Sequence, residues 1–173
     1  MSTDKEFIER CNTLAESAVK AGNHPFGALL VIDGEVVLEA QNTVLTEQDV
    51  TCHAELNLVR EAGKAFDQEQ LGKAILYTST EPCPMCTGAI YWAGLAKVVF
   101  GVSGADLGQI AGESFVWSSA ELFDRGGRHV SVVGPIGATS GRQLHKDYWS
   151  RSRLKTPEPD QLNRPFSLQH ATT

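Results

Sequence analysis

Residues 26–40 read Phe-Gly-Ala-Leu-Leu-Val-Ile-Asp-Gly-Glu-Val-Val-Leu-Glu-Ala. Two apolar runs, Phe26 to Ile32 and Glu35 to Ala40, meet at Asp33-Gly34. An Asp-Gly pair accepts the positive φ angles of a tight two-residue turn, so the stretch predicts a β-hairpin. Upstream, Phe7, Ile8, Cys11, Leu14, Ala15, Ala18 and Val19 recur at helical spacing within 4–21, with Ser2 or Thr3 to cap the start and Gly22 to end it. Downstream, strand-like runs at 74–79, 97–102 and 130–133 alternate with helical stretches at 53–64, 84–93, around 118–125 and at 140–153. A hairpin followed by such alternation implies an α/β fold: three layers, α/β/α, around a mixed five-stranded sheet. Residues 1–155 form one domain in this reading. From 156 to 173 the chain is polar and aperiodic and carries Pro157, Pro159 and Pro165, which predicts a tail outside the packed core.

The composition bounds the function. The chain has 173 residues, 42% hydrophobic and 21% charged, which suits one globular domain. No apolar run is long enough to span a bilayer, and Met-Ser-Thr-Asp-Lys-Glu-Phe-Ile-Glu-Arg at the start lacks the apolar segment of a secretory signal. The expected location is therefore cytoplasmic, with reduced thiols. A net charge of −6 weighs against a nucleic-acid partner, since phosphate neutralisation supplies much of such affinity. The cluster Arg142, Lys146, Arg151, Arg153 and Lys155 reads as a solvated helix face.

Two short segments carry chemistry: Thr51-Cys52-His53-Ala54-Glu55 and Glu81-Pro82-Cys83-Pro84-Met85-Cys86. If Cys83 begins a helix, Cys83 and Cys86 can converge on one ion, and Pro84 suits the first helical turn. Such a terminus also favours the thiolate, the metal-binding form. Two thiolates and the His53 imidazole make three ligands, the count of a catalytic zinc site that keeps its fourth position open. Glu55, two residues after His53, reaches the same cleft if a helix starts near His53 with Thr51 as cap. It would take a proton from the attacking water and pass it to the leaving amine. The alternatives are a redox Cys-x-x-Cys pair, or a closed structural site with Cys52 as fourth ligand. Cys11 lies on the apolar face of the first helix and reads as core.

His-Ala-Glu followed by Pro-Cys-x-x-Cys resembles the signature of the cytidine deaminase-like superfamily, whose members hydrolyse amino groups off nucleobases with zinc. The resemblance runs from about Asn23 to Val102 and takes in Pro25-Phe26-Gly27-Ala28 and Leu76-Tyr77-Thr78-Ser79-Thr80-Glu81-Pro82-Cys83. It points to the branch of guanine and guanosine deaminases and tRNA adenosine deaminases. It implies a substrate-binding set of Asn42, Phe26, Ala54 and Trp92 beside Glu55, and a homodimer. Glu113, before Ser114-Phe115, stands where guanine deaminases carry an acid. A carboxylate there would accept from the N1–H and 2-amino donors of guanine, a face that adenine lacks. His24 reads as structural.

The expectation is a zinc aminohydrolase of a small nucleobase or nucleoside, guanine-type first. A tRNA adenosine deaminase ranks second, then a cytosine or aminotriazine deaminase. The non-enzyme alternative is a catalytically idle zinc-binding accessory subunit, which would have no need of Glu55.

Overall fold

The computed structural model describes residues 3–112 and 116–153. Glu113 and the expected tail at 156–173 therefore lie outside the described residues. In chain order the elements are α1 (Asp4–Lys20), β1 (Gly27–Ile32), β2 (Glu35–Gln41), α2 (Val44–Glu47), α3 (Ala54–Ala65) and α4 (Gln68–Lys73). They continue with β3 (Ile75–Thr80), α5 (Pro84–Trp92), β4 (Lys97–Val102), α6 (Gly104–Ala111), α7 (Ser119–Phe123), β5 (Ser131–Val133) and α8 (Ala138–Arg153).

The hairpin forms where the Asp-Gly pair places it: Asp33 and Gly34 take φ angles of 52° and 83°. The sheet order is β2-β1-β3-β4-β5. β1 pairs antiparallel with both β2 and β3, whereas β3–β4 and β4–β5 are parallel, so the sheet is mixed as expected. Because side chains alternate along a strand, β1 feeds two cores. Leu29 and Val31 pack with Phe7, Ile8 and Cys11 of α1. Ala28 and Leu30 face the other way, into a cluster with Ala54, Leu58 and Ala62 of α3 and Ile90 of α5. Cys11 is thus core. A Cβ on Gly27 would overlap the Cys11 carbonyl and Leu14, so only glycine lets α1 lie this close to β1.

Three helices, α2, α4 and α6, were not anticipated from the sequence. In α6, Gly104 and Gly108 are poor helix formers, and docking supplies what propensity lacks. Ser103 accepts from the Asp106 amide at 3.1 Å, and Arg142 of α8 donates to the Asp106 carboxylate. That pair also amends the reading of Arg142, which ties two helices together, while Lys146 and Arg151 are exposed as expected.

Candidate active site

Two helix starts meet at the site. His53 is the N-cap of α3 and Cys83 the N-cap of α5, with Pro84 at the first helical position. Neither side chain is used for capping, so both are free to turn inward. Thr51 does not cap α3 as expected; its amide and hydroxyl both donate to the Asp49 carboxylate at 2.7 Å. The helix start alone puts His53 and Glu55 on the same cleft, because side chains splay around the first turn.

His53 Nδ1 lies 3.6 Å from both Cys83 Sγ and Cys86 Sγ. The three ligand atoms all fall within 4.8 Å of one another. Zinc bound at about 2.3 Å from sulfur and about 2.0–2.1 Å from nitrogen, with tetrahedral angles, requires an S···N separation of about 3.6 Å. The donor set and its spacing therefore fit zinc. Cys52 is buried but does not join the cluster, so among the described residues three protein ligands gather and a fourth position stays free for water or substrate. The thiols are coupled. The hydrogen bond from Cys86 and then that with His53 push Cys83 down to about 4, and the same contact with Cys83, with burial, pushes Cys86 up. The hydrogen bond to Cys83 raises His53.

Glu55 is 4% exposed at the second position of α3. Burial, and then the nearby Cys83 charge, raises its carboxyl above the usual range. Its Oε2 lies 3.7 Å from Cys86 Sγ and its Oε1 3.0 Å from Thr78 Oγ1. Thr78 Oγ1 is also 3.0 Å from the Thr80 carbonyl. One hydroxyl proton can go to either acceptor. When Glu55 is ionised, Thr78 donates to it; when Glu55 is protonated, it can donate to Thr78, whose own proton then turns to the Thr80 carbonyl. Thr78 thus serves both protonation states. Its role was not read from the sequence, where the one cue is a run of hydroxyl residues, Thr78-Ser79-Thr80, just before Glu81-Pro82-Cys83.

The remaining expected residues are less uniform. Ala54 is fully buried at the first position of α3. Asn42 is also buried, but its side-chain oxygen accepts from the Val44 amide at 3.1 Å, a local turn contact. Phe26 is half-buried, its ring 5.3 Å from that of His145. Trp92 is 83% exposed, edge-on to Tyr91, and is presented outward instead of against the His53 cluster. Glu113 lies outside the described residues. His24 is held by α8: its Nδ1 is 2.9 Å from the Tyr148 hydroxyl and its ring stacks on Trp149.

The cytidine and deoxycytidylate deaminase zinc-binding region matches residues 1–102. The chain belongs to this family. The deaminase is 44% identical over 117 residues to the guanine deaminase of Bacillus subtilis (strain 168), covering 66% of this chain and 75% of that one. It is 31% identical over 155 residues to a probable cytosine deaminase of Schizosaccharomyces pombe, covering 87% and 94%. A solved structure from studies of A-to-I editing by tRNA:A34 deaminases superposes with a TM-score of 0.68 at 29% identity, covering 80% of this chain and 98% of that one. The deaminase is thus a hydrolytic enzyme of the zinc-dependent class that cleaves C–N bonds, on a cytidine deaminase-like α/β fold. Among the described residues no helix is long and apolar enough to cross a membrane.

Proposed function

We propose that this enzyme removes the amino group of a small aminated purine, guanine first, with zinc held by His53, Cys83 and Cys86 and Glu55 as the proton carrier. The observation that supports the chemistry is the convergence of two helix starts on three zinc-compatible donors with a buried carboxylate beside them. Zinc, when bound, lowers the pKa of water toward about 7 and so supplies hydroxide at neutral pH. The chain's own residues do the rest. Glu55 takes a proton from the attacking water and delivers it to the departing amine, so that one water is consumed and one ammonia released for each ring C–N bond exchanged for C–O. Thr78 holds the carboxyl in place in both of its protonation states. Burial of Glu55 keeps bulk water from competing for its proton.

The preference for guanine is supported by the 44% identity to a guanine deaminase. In this reading Phe26 stacks on the base, Asn42 and Ala54 bound its edge, and Glu113 accepts from the donor pair of guanine. The net charge of −6 favours a small free substrate over tRNA. We assign the enzyme to the cytoplasm and to purine metabolism, as a homodimer. Met85 and Trp92, one heptad apart on α5, are exposed apolar side chains that a second copy would cover. In that arrangement Trp92 reaches a substrate only from the dimer interface.

Ammonia release from guanine, guanosine, adenosine, cytosine, an aminotriazine and tRNA, at low and raised salt, tests the reading. The expected result is turnover of guanine or guanosine with little salt dependence. Turnover of tRNA alone, falling steeply with salt, would make the enzyme a tRNA adenosine deaminase. Turnover of cytosine alone would give it the activity attributed to its fission-yeast relative.

A further inference from the structure

Helix α6 and residues 116–119 form a wall beside the metal-ligand turn. Leu107 and Gly108 of α6, with Val116 and Trp117, line a cleft together with Pro82 and Cys83. Val116 and Trp117 are 40% and 52% exposed, so burial does little to fix this wall. The starts of α6 and α7 are both held by one side chain. Glu81 Oε2 accepts from the Gly104 amide at 2.9 Å, and Glu81 Oε1 accepts from the Ser119 amide at 2.8 Å and the Ser119 hydroxyl at 2.9 Å. Gly104 and Ser119 are the first residues of α6 and α7, whose amides have no partner within their own helices.

Glu81 is itself anchored. Its amide donates to the Val102 carbonyl at 2.8 Å, extending the β3–β4 pairing by one residue. Pro82 then fixes the backbone leading into Cys83. The residue two before a metal ligand therefore grips two helix starts, at Gly104 and Ser119, that follow it by more than twenty residues in sequence. Arg142 holds the first turn of α6 as well, through Asp106. We propose that Glu81 is a positioning residue for substrate binding: it locks the starts of α6 and α7 to the Cys83 turn, so that the metal-ligand turn and these two helix starts move as one body. The inference rests on the proposed function, with the substrate meeting this wall where the cleft reaches Cys83.

The test pairs an activity readout with one that needs no substrate. Glu81→Gln keeps the size but turns one acceptor oxygen into a donor facing an amide N–H. The expected result is unchanged zinc content, kcat within about threefold, and KM raised by about tenfold or more, the scale of losing a hydrogen bond to a charged group. Amide hydrogen exchange in α6 and at 116–119 should quicken by about tenfold, while α3 and α5 stay protected. Ser119→Ala removes one of the three bonds and should raise KM by about threefold. In the double variant the two effects should combine to less than their product, because they share a contact. Unchanged exchange in α6 and at 116–119 in either variant would overturn the proposal, as would loss of zinc with kcat, which would make Glu81 a support of the metal ligands. If Glu81→Gln does not fold, Ser119→Ala decides by the same criteria. If the wild type turns over none of the bases, exchange alone decides, and the failure then lies with the proposed substrate.

Discussion

The two halves of this site are built on opposite principles. The half to which we assign the chemistry, His53, Glu55, Cys83 and Cys86, hangs on the first turns of α3 and α5 and is packed against the central strands, with Cys86 fully buried and Glu55 nearly so. The half that closes the cleft, α6 with Val116 and Trp117, contains two glycines, exposes its large side chains and is tied down by the carboxylates of Glu81 and Asp106. The difference teaches where tolerance lies. Zinc and proton transfer need positions held to a fraction of an ångström, which burial provides. In the proposed reading, substrate recognition can be retuned in a wall held by a few polar contacts while the metal-ligand cluster keeps its geometry.

The hardest blow to that contrast is Cys86→Ala. It should remove zinc and abolish activity together, and metal analysis showing full zinc occupancy would break the ligand assignment. Glu55→Gln should leave zinc and melting temperature in place while lowering kcat by about 100-fold or more. Near-normal turnover would end its role as proton carrier. For Glu113, the proposed acceptor for guanine, Glu113→Gln should cost about 10- to 150-fold in kcat/KM on guanine, with zinc unchanged. A ratio within about twofold would remove Glu113 from the proposed substrate contacts and weaken the case for guanine.

The smallest effect at neutral pH concerns the support behind the rigid half. His145 of α8 is buried with its Nε2 2.8 Å from Thr80 Oγ1, and burial depresses its pKa to about 4. The unfolded chain takes up this proton near pH 6.5, so the stability that neutral His145 contributes is present above that value. It is lost as pH falls toward 4, by about 3 kcal/mol. Denaturant melts at pH 7 and pH 4 should show a smaller acid loss in His145→Gln than in the wild type. Equal losses in both would show that acid acts elsewhere.

The features read correctly from sequence are those whose geometry is local. Asp33-Gly34 fixed its turn because both φ angles must be positive, and Cys83-Pro84 marked a helix start because proline needs no amide partner there. The reach from His53 to Glu55 followed from a helix beginning between them. Thr51 was misread because its hydroxyl found Asp49, a competitor that residue spacing does not rank. Helix α6 was invisible because Gly104 and Gly108 argue against it and its support comes from α8, more than thirty residues away.

What the sequence determined by itself was the set of donors, the two helix starts that carry them and the carboxylate placed among them, since spacings of two and three residues translate directly into geometry. What the tertiary structure alone decided was that these starts, thirty residues apart, face each other at 3.6 Å, that Thr78 meets Glu55, and that Glu81 holds two helix termini at once. Such contacts join side chains to partners far along the chain, and a hydrogen bond across that distance leaves no period or motif in the sequence from which to read it.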